Sequence, residues 1–113
     1  MSVIDFKRFE SIDIRVGEIR KAESYPEARK PAYKLWINFG SNIGEKKSSA
    51  QITENYNPNE LVGKKVLAVI NLQPKQIGNF TSEVLVLGVP DINEQGVVLA
   101  VPDKATKIGS RLY

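Results

Sequence analysis

Among its 113 residues the chain has no cysteine and no histidine. Without cysteine there is no disulfide, no thiol nucleophile and no thiolate metal site. Without histidine the commonest general base and the commonest metal ligand are missing as well. No apolar run approaches the roughly 18 residues of a membrane-spanning helix. Met1-Ser2-Val3-Ile4-Asp5 also lacks the basic and apolar regions of a signal peptide. These absences lead us to expect a cytoplasmic protein with no metal, no cofactor and no membrane span. Carboxylate hydrolysis, for example by Glu45 and Glu83, has no motif behind it. A binding module, not an enzyme, is the leading class.

What is present is ordinary for a globular chain: 42% apolar and 26% charged residues, at a length that suits one domain over 1–113. The net charge is +3, and the basic excess is uneven. Residues 1–80 hold 13 Lys/Arg against 9 Asp/Glu, whereas residues 81–113 hold 3 against 4. The first two thirds are therefore biased towards anionic partners.

Asp5-Phe6-Lys7-Arg8-Phe9-Glu10 reads as a short helical turn capped by Asp5 or Ser2. Phe6 and Phe9 share a face that either plugs one end of the domain or meets a second subunit. A first strand is predicted over about Ile12 to Glu23, where Ile12, Ile14 and Val16 alternate with Asp13 and Arg15. The phase slips after Gly17, which predicts a bulge or sharp coil there. A connection punctuated by Pro26 and Pro31 carries Arg29 and Lys30 at its tip. The second strand, Tyr33 to Phe39, points Tyr33, Leu35, Ile37 and Phe39 one way and Lys34, Trp36 and Asn38 the other. The lone Trp36 either packs in the core or, beside Lys34, offers a stacking or interface surface.

Glu45 to Ile52 reads as a polar third strand, with Lys46, Lys47, Ser48, Ser49 and Gln51. Asn57-Pro58-Asn59-Glu60-Leu61-Val62-Gly63 has the N-cap, first-turn proline, reciprocal cap and terminal glycine of a short helix. Two apolar runs follow, Val66–Leu72 and Val84–Val89, read as strands with both faces covered. Between them lies a loop of mixed chemistry, Gln73 to Glu83, carrying Lys75, Gln76, Ile77, Phe80 and Ser82. Val97 to Val101 reads as a final strand stopped by Pro102.

Three strands, a short helix and two more strands is the order of an all-β, five-stranded OB-fold barrel, here with an N-terminal helical turn and a C-terminal strand extension. That scheme gathers Arg29, Lys30, Lys34, Lys46, Lys47 and Lys75 on one side. The alternation of side chains allows at most one of Lys46 and Lys47 to face the groove. Something must cover the outer face of the two apolar strands. Phe6, Phe9, Leu112 and Tyr113 are the candidates, folding back or contributed by a second subunit, and a two-fold dimer is expected.

Asp13-Ile14-Arg15-Val16-Gly17, Pro26-Glu27-Ala28, Ser48-Ser49-Ala50-Gln51-Ile52, Asn71-Leu72-Gln73-Pro74-Lys75 and Gly78 with Ser82-Glu83 resemble the tRNA-binding-domain superfamily. Lys46-Lys47-Ser48-Ser49-Ala50-Gln51-Ile52 and Phe80-Thr81-Ser82-Glu83-Val84-Leu85-Val86-Leu87-Gly88 resemble its CsaA branch in particular. The resemblance implies an OB-fold homodimer with two compatible roles. One is a chaperone of protein export that binds unfolded or precursor polypeptides and meets the export machinery. The other is structure-specific tRNA binding. Lys75, Ser82 and Glu83 fall in the signature loop, with Ser48 and Ser49 in the strand facing it. Gln76 and Glu83-Val84 depart from the synthetase-type pattern of a second cation and a Gly-Met pair, which favours the chaperone role.

Polypeptide is then expected at Trp36, Ser49, Gln51, Lys75, Gln76, Ile77, Phe80 and Glu83. RNA is expected at Arg29, Lys30, Lys34, Lys46, Lys47, Lys75 and Ser82.

Overall fold

A computed structural model describes all residues, Met1–Tyr113. Helix α1 (Phe6–Glu10) is followed by strands β1 (Ile14–Ser24), β2 (Tyr33–Asn38) and β3 (Glu45–Ala50), then helix α2 (Pro58–Leu61). Strand β4 (Lys65–Val69), a hairpin of β5 (Lys75–Ile77) and β6 (Phe80–Ser82), and short strands β7 (Leu85–Val86), β8 (Gly88–Pro90) and β9 (Val97–Leu99) complete the chain. The main antiparallel sheet has the order β3-β2-β1-β4-β7. It curls until the free edge of β3 meets the segment entering β7, where Lys47 O accepts from Glu83 N at 2.8 Å. The result is the expected OB-type barrel.

The alternation in β2 survives intact. Tyr33, Leu35 and Ile37 point inward and are buried, while Lys34, Trp36 and Asn38 are half-buried on the outer face. With Ile19, Phe39, Ile52, Val66, Ala68, Val84 and Leu99 they make one core, closed at an end by Leu61 of α2. That helix is capped as the sequence dictates: Asn57 Oδ1 accepts from Glu60 N at 3.1 Å and Glu60 Oε1 from Asn57 N at 2.8 Å.

Gly17 has a different meaning from the one expected. A Cβ there would lie 2.5 Å from Ile37 Cγ2 and 2.6 Å from Phe39 Cε1, so its role is close approach to the core. The bulge sits farther on, where Arg20 is the extra residue between the Ile19↔Ile37 and Lys21↔Trp36 pairs. The phase slip arises because Val16 faces outward beneath the C-terminal tail, which pairs with β1 through Gly109 N to Val16 O (2.7 Å) and Leu112 N to Ile14 O (2.9 Å).

The apolar run Val84–Val89 is not one strand. It pairs with β4 through Leu85 and Val86, then turns to pair with β9 through Gly88–Pro90. Its outer face is only partly covered: Leu85 and Val89 are exposed, as are Val98 and Val101.

Candidate binding groove and its cationic face

The mixed loop is an ordered hairpin, a two-stranded sheet of its own. Its register is Lys75↔Ser82, Gln76↔Thr81 and Ile77↔Phe80, which leaves Gly78-Asn79 as a two-residue turn. Gly78 has φ +60°, and a Cβ on it would sit 2.7 Å from the Tyr25 hydroxyl. That hydroxyl donates to Ile77 O, latching the turn to the end of β1. Gln76 is tied up within the hairpin, donating from Nε2 to Gly78 O at 2.8 Å and accepting from Thr81 Oγ1 at 2.6 Å.

Cross-strand partners share a face, so Lys75, Ile77, Phe80 and Ser82 all look the same way, towards the outer face of β2 and β3. Phe80 is the anchor. Only 7% exposed, its ring meets Tyr25 and Trp36 edge-on, at 5.8 Å between centroids in each case. Ser82 and Glu83 fasten the hairpin to β3: Ser82 Oγ accepts from Ser49 N and Glu83 Oε1 from Lys47 N, both at 2.9 Å. These bonds satisfy amides of the β3 edge that would otherwise lack a partner.

Two surfaces result. On one side of this seam runs a groove of about 280 Å³, walled by β3 and the hairpin. Leu72, Ile77 and Leu85 give it apolar surface, Ser49, Gln51, Gln73 and Ser82 hydrogen-bonding groups, and Lys75 a cation.

On the other side ammonium groups lie over aromatic rings. Lys34 Nζ is 5.0 Å from the centroid of Tyr25 and 5.8 Å from that of Phe80. Lys47 Nζ is 5.2 Å from Phe80, and Lys21 Nζ 4.7 Å from Trp36. Each such contact contributes about 0.5–1 kcal/mol where water reaches it. Glu23 is the acid among them, 3.1 Å from Lys21 and 4.0 Å from Lys34.

The structure therefore divides the expected site residues. Ser49, Gln51, Lys75, Ile77, Ser82 and Glu83 meet in the groove. Lys34, Trp36 and Lys47 meet around Phe80, which forms a buried floor here instead of an exposed wall. Lys46 lies opposite Ile37, so of the lysine pair only Lys47 shares the face of Trp36. Arg29 and Lys30 stay on the exposed 26–31 loop beside separate depressions, so the six cations do not form one patch. Lys21, Tyr25, Leu72, Gln73 and Leu85 were not among the expected site residues. An aromatic closing the first strand was the available signal for Tyr25.

Phe6, Phe9, Leu112 and Tyr113 come together with Ile12 around one shallow apolar depression. The Asp-Ile-Arg-Val-Gly motif holds that patch in place. Arg15 donates to Asp13 Oδ1 at 2.7 Å and to Gly109 O at 2.9 Å, and Arg111 lies 3.6 Å from the same carboxylate. Asn71 accepts from Asp13 N at 2.9 Å and donates to Ser11 O at 2.8 Å. No helix is long and apolar enough to cross a membrane, and no cluster of three His, Cys, Asp or Glu residues could hold a metal ion.

An OB-type barrel that carries a half-apolar groove beside a cationic, aromatic face has the architecture of a ligand-binding module. Comparison with known proteins narrows this. The family model described as a putative tRNA binding domain matches residues 14–111. The chain is 37% identical over 112 residues to the methionine–tRNA ligase of Methanocaldococcus jannaschii, covering 99% of this chain and 17% of the ligase. It spans the whole of two solved CsaA chaperones. For that of Bacillus anthracis the identity is 43% and the TM-score 0.90, covering 99% of this chain and 100% of the other. For that of Picrophilus torridus the values are 51% and 0.91, with 98% and 100% covered. The chain belongs to the tRNA-binding-domain family, in its CsaA branch.

Proposed function

We propose that this protein is a homodimeric, cytoplasmic chaperone of protein export, with residues 1–113 acting as one OB-fold module that holds unfolded or precursor polypeptides. The observation that carries the reading is the groove between β3 and the hairpin. It brings the apolar side chains of Leu72, Ile77 and Leu85 together with the hydroxyls and amides of Ser49, Gln51, Gln73 and Ser82. That mixture suits an extended chain, which presents apolar side chains and unpaired backbone groups at close intervals. The two neighbours matched over their full length, both CsaA chaperones, support the same reading. The dimer would form through the patch of Phe6, Phe9, Ile12, Leu112 and Tyr113, in which Phe6 is 64% exposed.

Light scattering tests the chaperone. Stoichiometric protein should suppress the aggregation of a denatured client, and Ile77→Asp should lose that effect while remaining folded by circular dichroism. Wild-type protein without effect on aggregation would refute the reading.

A second reading has its own observation. The lysines over Tyr25, Trp36 and Phe80, together with the family match, favour tRNA bound through its phosphates. A mobility-shift titration should then give a log–log salt slope of roughly −0.7 to −0.9 per phosphate contact. A flat response counts against it.

A further inference from the structure

We propose that the cationic face and the polypeptide groove are negatively coupled through the β5–β6 hairpin, so that an RNA backbone engaging Lys34 and Lys47 weakens polypeptide held in the groove. The inference rests on the reading that the groove takes polypeptide.

The same hairpin serves both surfaces. Lys75, Ile77 and Ser82 give the groove its outer wall. Phe80, the cross-strand partner of Ile77, is the ring on which Lys34 and Lys47 rest. The hairpin shares no strand ladder with the barrel. What seats it is the Phe80 ring between Tyr25 and Trp36, the Tyr25 latch on Ile77 O, and the Ser82 and Glu83 bonds to β3. A unit attached so locally can open without the core unfolding.

Phosphate oxygens are stronger partners for an ammonium than the face of a ring. A phosphodiester backbone crossing Lys34 and Lys47 draws both away from Phe80 and removes two contacts that favour the seated hairpin. The polyanion therefore prefers the unseated hairpin and the polypeptide the seated one, and this differential affinity is what couples two sites. The effect is reciprocal: bound polypeptide weakens RNA binding by the same factor. Two exposed cation–ring contacts correspond to roughly a five- to thirtyfold change in affinity.

The probe is a fluorescein-labelled peptide of alternating Leu and Ser, followed by anisotropy as unfractionated tRNA or inorganic polyphosphate is added. Emission from Trp36, the chain's one tryptophan, is recorded in the same titrations, because its ring lies 5.8 Å from Phe80. The peptide Kd should rise and then level off at roughly five- to thirtyfold, with Trp36 emission shifting in step. Polyphosphate should act as tRNA does, since only phosphates are required. Lys34→Gln/Lys47→Gln should start with weaker peptide binding and lose no more on addition of polyanion. Lys47→Arg keeps both the charge and the ring contact, so it should respond as wild type and guards against a folding defect in the double variant.

A Kd that rises without limit means that the two ligands overlap, and it overturns the coupling. So does a peptide affinity that ignores saturating tRNA, or an effect confined to tRNA with Trp36 emission unmoved. Wild-type protein that binds no peptide overturns the polypeptide reading together with the coupling, whereas binding indifferent to polyanion overturns the coupling alone.

Discussion

Replacing Phe80 with alanine should release the hairpin and leave the barrel standing. The ring is 93% removed from water and meets two other rings at 5.8 Å. Burial of a Phe side chain contributes about 1.5–3 kcal/mol. Each aromatic pair adds about 0.5–1.5 kcal/mol. The sum agrees with the usual cost of a buried Phe→Ala change, about 3–5 kcal/mol. Because β5 and β6 pair only with each other, that loss should fall on local opening. Amide hydrogen exchange followed by mass spectrometry checks this. A loss of about 3 kcal/mol corresponds to roughly hundredfold faster exchange over residues 75–82. The core amides of Ile19, Leu35 and Ile37 should change much less. Equal acceleration in the hairpin and in the core would show instead that the hairpin is an integral part of the barrel. Unchanged exchange over 75–82 would refute Phe80 as the anchor.

Gly17→Ala should destabilise the whole barrel by about 1–3 kcal/mol in guanidinium unfolding, because its methyl meets Ile37 and Phe39, both essentially fully buried. A neutral substitution would mean that β1 and β2 can separate freely. Phe6→Asp with Phe9→Asp should convert the proposed dimer to monomer in sedimentation without loss of β signal, and an unchanged mass would refute that contact. Asp91 gives a pH prediction. Its carboxylate accepts from the Asn55 side chain at 3.0 Å and from the amides of Gln95, Asn93 and Gly96. Led by the Asn55 bond, these hold its pKa below the ordinary carboxylate value. A depressed folded pKa gives stability that is complete above the unfolded value and lost as pH falls through the folded one. The step that Asp91 imposes on the amide resonances of Asn93, Gln95 and Gly96 should therefore fall at lower pH than the titration of an ordinary aspartate. Movement near neutrality would contradict this.

The elements legible in the sequence are those set by local pattern. The period-two alternation of Tyr33 to Phe39 placed the core face of β2, and the Asn57-Pro58-Asn59-Glu60 cap fixed α2, because both depend on neighbours along the chain. The barrel was legible from strand order. The features that were not legible depend on contacts between distant segments. Gly17 was expected to bend its strand, yet what it meets is Ile37 and Phe39 of a different strand. Phe80 was expected in a loop, although Ile77-Gly78-Asn79-Phe80 carries the turn signal of a two-residue hairpin. Nothing local says that this hairpin folds onto Tyr25 and Trp36. Ser82 and Glu83 stood out as ligand residues, and their side chains also complete the edge of β3.

In the proposed function, extended polypeptide lies between β3 and the hairpin. The most direct measurement is a hydrogen-exchange footprint of the protein with and without saturating unfolded peptide. Bound peptide should add protection over residues 49–51, 73–77 and 82–85 and leave the 26–31 loop and the β8–β9 hairpin unchanged. Protection confined to those other segments, with none along the groove, would contradict it.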